Sequence, residues 1–251
     1  MYTRTQRSVA LLYGVACHLA FASAVGAMMW KLYTGLHGGP NLPLGAALAW
    51  DILLVLQFPL FHSLLLTDTG GRWMSRMTPA RIGTELRTTT FALIASLQLL
   101  GTFLCWAPLG PVFGELEGVL KIGSTALYGC GWILLMKSMS DAGLGIQMGY
   151  LGWLAVFRNR KPVYKDFEEK GTLKVTRHPM YFAYTLLLWT GPVWTPDHLL
   201  LAGCWTVYCL FAPLHKESRY RKRYGDVFRA YQKRVPYLVP LFLTHRKTRH
   251  I

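Results

Sequence analysis

The chain has 251 residues, of which 52% are hydrophobic and only 16% charged, with 9 Trp and 13 Tyr. That balance excludes a water-soluble domain and points to an integral membrane protein. The formal net charge of +15 does not indicate nucleic acid as a partner, because the positive residues sit beside apolar stretches, where membrane helices carry them.

The first apolar span covers residues 9–30, follows Arg4 and Arg7, and is rich in Ala and Gly, which suits close packing in lipid. It is too long for a signal-peptide core and lacks a clear cleavage site, so it reads as a retained anchor. A Gly/Pro-rich loop (residues 35–43) leads to a second span at 44–66, which holds Asp51, Gln57, Pro59 and His62. Polar groups at membrane depth are costly and face the bundle or a cavity. Asp51 and Gln57 read as interhelical hydrogen-bonding groups, while His62 stays open between that role and the lining of a reaction chamber.

A basic loop with Arg72, Arg76, Arg81 and Arg87 precedes a third span at residues 88–106, whose polar interior residue is Gln98. The next loop carries Glu115 and Glu117 and no positive charge, and a fourth span follows at 119–136, with Lys121 near its outer end. Cys17, Cys105, Cys130, Cys204 and Cys209 all lie in apolar stretches, with no C-x-x-C and no His at ligand spacing. They read as buried packing residues, and no metal site is expected.

Between Lys137 and Arg177 lies a polar connection. Its glycine-rich opening, D-A-G-L-G-I-Q-M-G-Y-L-G (residues 141–152), is not a dinucleotide loop, because no strand precedes it and no βαβ unit follows. Its glycines instead let backbone approach backbone or cofactor closely. Residues 161–173, K-P-V-Y-K-D-F-E-E-K-G-T-L, are too charged to span and read as a lid or strap.

The segment 176–240 organises the rest. It opens T-R-H-P-M-Y, and Pro179 suits the first position of a helix, where its missing N–H has no partner to lose. Arg177 and His178 then stand just outside a helix N-terminus, which favours anions. Two apolar stretches flank the turn Thr195-Pro196-Asp197, and the second ends at Leu214, before His215-Lys216-Glu217. At 1.5 Å per residue the arms are about 27–30 Å long, which returns Glu217 to the height of Arg177 and His178. In the tail, Tyr220, Tyr224, Phe228 and Tyr231 form one helical face, with Arg221, Lys222, Arg223, Arg229 and Lys233 on the others. That pattern suits a helix on anionic headgroups, one that closes a cofactor pocket, or both. Gly225 breaks this helix or tightens its contact, and T-H-R-K-T-R-H-I (residues 244–251) reads as a disordered basic end. The fold class is therefore all-α: a polytopic membrane bundle of about six transmembrane helices with a cytoplasmic C-terminal amphipathic helix. Residues 1–137 form a four-span bundle and 138–251 carry the site, with both termini cytoplasmic.

R-H-P-x-Y, an apolar hairpin, a Glu, and then Y-G-x-x-F-R-A-Y-x-x-R-V-P resemble the C-terminal half of the isoprenylcysteine carboxyl methyltransferase superfamily. F-H-S-L-L-L (61–66), Arg72-Trp73, Pro79, S-L-x-L-L (96–100) and W-A-P (106–108) are similar to its methanethiol S-methyltransferase branch. The resemblance implies an integral membrane enzyme that uses S-adenosylmethionine and methylates a small thiol or a lipid-like acceptor, in a bacterial inner membrane rather than an endoplasmic reticulum. It assigns catalysis to Arg177, His178 and His215, and cofactor binding to His178, Pro179, Tyr181, Glu217 and Tyr231, with Gln147 of the glycine-rich stretch. One departure stands out: the superfamily has two consecutive Glu residues after the hairpin, and here Lys216 fills the first position. It leaves open a catalytically silent membrane accessory protein. Carboxyl methylation of isoprenylcysteine also stays open beside thiol methylation. A thiol acceptor needs little beyond positioning and water exclusion, because the thiolate is intrinsically nucleophilic, and a neutral His178 or His215 can accept its proton; a carboxylate needs a cation to orient it.

Overall fold

A computed structural model describes residues 1–239 of the chain; the basic segment 244–251, expected to be disordered, lies outside them. In chain order the elements are α1 (Arg4–Tyr33), α2 (Leu44–Leu65), α3 (Asp68–Met77), α4 (Arg87–Leu104) and β1 (Gly114–Glu115). There follow α5 (Gly118–Asp141), α6 (Leu144–Gln147), α7 (Tyr150–Phe157), α8 (Pro179–Trp189), β2 (Val193–Trp194) and α9 (Pro196–Arg234). The architecture is all-α apart from the two-residue strands, which pair antiparallel with Gly114 opposite Trp194.

Among the described residues, α1, α2, α5 and α9 are long and apolar enough to cross a membrane. Large apolar side chains stand exposed along them, such as Leu12, Leu19, Val119 and Ile133, as expected where lipid replaces water. In α9 the apolar run ends at Leu214, and from His215 the helix carries charges too dense for hydrocarbon. The expected hairpin arms need correction. α8 has 11 residues, which makes it about 16 Å long, and it ends ahead of Gly191-Pro192, two adjacent residues that both disfavour helix. Where a separate C-terminal helix was expected, α9 runs on to Arg234, interrupted at Gly225, whose φ of 52° and ψ of −126° are open to glycine alone.

The chain forms two compact units, neither of them a continuous stretch. The first comprises Met1–Glu115, Gly143–Lys165 and Pro192–Leu201. Here α1 packs on α4 and α7, and Gly14 makes room for the Trp153 ring, which a Cβ would meet at 2.3 Å. Trp153 also donates from Nε1 to His18 Nε2 at 3.1 Å. Gln57 on α2 and Gln98 on α4 bond reciprocally: Gln98 Nε2 donates to Gln57 Oε1 at 2.8 Å, and Gln57 Nε2 to the Gln98 carbonyl and to Thr102 Oγ1. Asp51 accepts from the Ala107 N–H at 2.9 Å. Gln57 thus takes the interhelical role expected of it, whereas Asp51 ties α2 to the loop after α4, and His62 packs against the Phe58 and Phe91 rings.

The second unit comprises Leu116–Ala142, Asp166–Gly191 and, of the described residues that follow, 202–239. α5 and α8 meet where Gly131 faces Leu187, and Ser124 Oγ donates to the Thr190 carbonyl at 2.6 Å. Trp189 Nε1 donates to Thr206 Oγ1 on α9. The cysteine reading needs correction: Cys17 and Cys209 are buried, but Cys105, Cys130 and Cys204 are exposed. A thiol is apolar enough to sit on the outer face of a bundle that faces lipid.

Candidate functional site

The start of α8 is held in place from three directions, all within the second unit. The first is the end of α5, where Asp141 accepts from both the backbone N–H and the hydroxyl of Thr172 at 2.8 and 2.9 Å. This contact needs a glycine before it: Gly171 has φ +50°, and a Cβ there would lie 2.2 Å from the Asp141 carboxylate. The second is α9, where Tyr231 donates its hydroxyl to the Leu173 carbonyl at 2.7 Å. The third is the chain beyond α9, where Pro236 accepts the Arg177 N–H at 2.9 Å and Leu238 accepts the Thr176 hydroxyl at 2.9 Å. His178 takes the N-cap position with no side-chain cap bond, and Pro179 is the first helical residue.

These constraints deliver Arg177 and His178 to Glu217, which is buried to 4% exposure on α9. Glu217 Oε1 receives His178 Nε2 at 2.9 Å and Arg177 Nη1 at 3.2 Å. Oε2 receives Gln232 Nε2 at 2.5 Å, with Arg221 Nη1 farther off at 3.7 Å. Tyr237 covers the cluster: its ring lies 4.9 Å from that of His178, the Arg177 guanidinium sits 5.4 Å above it, and its hydroxyl donates to the Leu210 carbonyl.

The group lies beyond the apolar run of α9, and its electrostatics follow from this geometry. Burial pushes the His178 imidazole below its ordinary pKa. The Glu217 bond opposes that shift, and the Lys216 and Arg177 charges reinforce it. For Glu217, burial alone would raise the carboxyl, but the His178 hydrogen bond and the Arg177 charge outweigh it and hold it below its ordinary value. Glu217 is thus an ionised acceptor beside a neutral imidazole. Within this cluster two buried polar atoms have no partner among the described residues: His178 Nδ1 and Arg177 Nε. Lys216 lies over the Tyr220 ring at 5.4 Å, and burial, with Arg219 nearby, lowers its ammonium to about 8.

The structure therefore brings together Arg177, His178, Pro179 and Glu217, with the Tyr181 ring 5.9 Å from that of His178. Tyr231 contributes by holding Leu173. His215 is exposed; two residues before Glu217, it points about 200° away around the helix. Gln147 ends the short helix α6 and belongs to the first unit. Sequence reasoning missed Gln232 and Tyr237. Gln232 stands in an unspecified position of Y-x-x-R-V-P, where a straight helix would carry it about 22 Å from Glu217, and the break at Gly225 brings it back. Nothing in the pattern marked Tyr237, because its place depends on the chain folding back after Val235.

The strap is anchored as well. Phe167 sits among the tail aromatics, with ring centroids 4.9 Å from Tyr231, 5.6 Å from Phe228, 5.8 Å from Tyr224 and 6.0 Å from Tyr220. The aromatic face of the tail thus covers the strap. Glu169 and Arg234 add an ion pair at 2.8 Å.

Comparison with known proteins agrees with the sequence resemblance. A methanethiol S-methyltransferase 2 of Bradyrhizobium diazoefficiens is 26% identical over 96% of this chain and 94% of its own length. A methanethiol S-methyltransferase of Pseudomonas deceptionensis is 29% identical over 82% of this chain and 77% of its own. One of Crocosphaera subtropica is 27% identical over 93% and 92%. No family model and no solved structure matches. The similarity to that branch runs along almost the whole chain, as the motifs imply.

Proposed function

We propose that this chain is an integral membrane methyltransferase that transfers a methyl group from S-adenosylmethionine to a small thiol such as methanethiol. The names and coverage of its relatives support this reading. The observation that carries it is the pair of unpartnered buried atoms, His178 Nδ1 and Arg177 Nε, on consecutive residues beside Glu217. A buried polar atom without a partner is costly, so a site that keeps two of them side by side is built to receive a ligand.

The residues fit the proposed donor, which supplies a methyl group on a positively charged sulfur. Arg177 presents a buried N–H to its carboxylate or a ribose oxygen, and Tyr181 and Tyr237 give the apolar walls that exclude water around a sulfonium. Glu217 already receives its donors from the protein, so its part is to hold Arg177 and His178 rather than to reach the donor itself. The basic segments around Arg4 and Arg72 and those from Lys137 onward orient the chain with the site at the cytoplasmic face of a bacterial inner membrane. With α4 crossing as the third span, as the sequence reading has it, cysteine-accessibility labelling should find the Glu115 loop on the opposite side from Arg4.

Arg177 supports a second reading, because a guanidinium N–H equally well orients the carboxylate of an isoprenylcysteine. Incubation with labelled S-adenosylmethionine and either methanethiol or a farnesylcysteine analogue separates the two. Label in a volatile thioether is the expected result. Label only in a base-labile ester would overturn the thiol assignment, and failure of the folded protein to bind S-adenosylmethionine would overturn the enzyme.

A further inference from the structure

We infer that Gln232 and Glu217 form a positioning relay that fixes His178 as its Nε2–H tautomer, leaving Nδ1 to take the proton of the thiol acceptor. The role of Nδ1 rests on the thiol reading above; the tautomer does not. An ionised carboxylate only accepts hydrogen bonds, so at 2.9 Å from Glu217 Oε1 the His178 Nε2 must donate. A neutral imidazole has one N–H, so Nδ1 carries the lone pair. His178 is 2% exposed, and no described group donates to Nδ1.

Gln232 completes the arrangement from the other oxygen. Its amide N–H bond to Oε2 keeps that side of the carboxylate occupied and turns Oε1 toward Arg177 and His178. The charged and titratable groups that face His178 are Arg177, Glu217 and Lys216, with Tyr181 and Tyr237 at its ring. Two cations against one carboxylate oppose a second proton on the imidazole. His215, the other candidate base, is exposed and lacks such an orienting partner among the described residues.

The step balances. The acceptor S–H bond breaks toward Nδ1 as the new S–CH3 bond forms. The bond from the methyl group to the donor sulfur breaks at the same time, leaving its electron pair on that sulfur as a neutral thioether. The imidazolium then returns its proton to water.

Two measurements on the full chain in detergent test this. Nitrogen-15 NMR of histidine-labelled protein, with the His178 signal identified by its loss in His178→Gln, should show an unprotonated Nδ1. A protonated Nδ1 would overturn the relay whatever the substrate is. Rates between pH 6 and 10 test the base. His178→Gln should bind S-adenosylmethionine within about threefold of wild type yet lose roughly 10²–10³-fold in kcat on methanethiol at pH 7.5. That loss should shrink about tenfold per pH unit as the thiol ionises unaided, and it should be at least tenfold smaller on an aryl thiol already ionised at neutral pH. Gln232→Glu should move the acid limb of kcat upward, since a second carboxylate beside Glu217 favours the imidazolium, with KM little changed. An equal loss on both thiols at every pH, or loss of donor binding, would overturn the base assignment. A wild-type protein that methylates neither thiol would instead defeat the thiol reading itself.

Discussion

Each unit of this protein buries a cluster of polar side chains, and the two clusters leave different things over. In the first, Gln57, Gln98 and Thr102 exchange hydrogen bonds between α2 and α4, and every member is neutral. Its unpartnered atom is Gln98 Oε1, an uncharged acceptor. In the second, one carboxylate gathers a guanidinium, a neutral imidazole and an amide, and among the described residues what remains is a titratable lone pair and a guanidinium N–H. A neutral zipper can fix helices without offering chemistry. A charged cluster that organises its members and then leaves reactive atoms unsatisfied is arranged for something that arrives from outside.

The comparison is broken most directly at Glu217. Glu217→Ala leaves Arg177 without its counter-charge and His178 Nε2–H without its acceptor, and removing one partner of a buried pair costs about 3–5 kcal/mol. Thermal unfolding in detergent should show that loss, with activity essentially abolished. The pH dependence has a definite sign. His178 and Glu217 both sit below their ordinary values, so each binds fewer protons folded than unfolded, and stability rises with pH where either titrates. Stability contributed by the site should be full above about pH 6.5, decline as pH falls through the unfolded-histidine value, and fall again below about pH 4.3. In Glu217→Gln the lower step should vanish.

Phe167→Ala comes next in size. It empties the centre of the tail's aromatic cluster, at a cost of about 2 kcal/mol for a half-buried ring. Because the strap runs directly into residues 171–178, the variant should raise KM for the methyl donor more than it lowers kcat. Unchanged kinetics would mean that the strap is packing alone.

Gln57→Leu then tests the neutral cluster. Interhelical hydrogen bonds in membranes are worth about 0.6 kcal/mol and reach about 1.7, so unfolding should shift by that amount. Activity per folded molecule should stay at wild-type level. A loss of kcat here would erase the distinction between the two clusters.

How much of this was legible beforehand follows from what each feature depends on. The meeting of Arg177, His178 and Glu217 was expected and is found, but the equal arms of about 27–30 Å from which it was argued are not. The lengths of the arms were not readable. Hydropathy runs on to Trp194, whereas the helix stops at Trp189, since Gly191-Pro192 outweighs the apolar pattern. The aromatic stripe was legible as a face, but its occupant, Phe167, comes from a charged segment without periodicity. Gln232 and Tyr237 escaped for the same reason: their positions depend on the break at Gly225 and on the fold-back after Val235, neither of which leaves a periodic signal.

Arg221→Ala should have the smallest effect and is the sharpest internal control. Arg221 and Arg177 both pair with Glu217, so a count of ion pairs would rank them together. Their surroundings differ: the Arg221 side chain is 43% exposed with its nitrogen 3.7 Å from Oε2, while that of Arg177 is 15% exposed at 3.2 Å from Oε1. Water and salt screen the first, and exposed i,i+4 pairs contribute about 0.3–0.5 kcal/mol. The second is desolvated and is also tied down through its backbone and the Tyr237 ring. Arg221→Ala should therefore leave kcat within about twofold and move unfolding by no more than that pair energy, while Arg177→Ala should remove most activity. Equal losses from the two would mean that Glu217 needs bulk positive charge rather than one oriented guanidinium, and the contrast between an organised charged cluster and a neutral zipper would lose its physical basis.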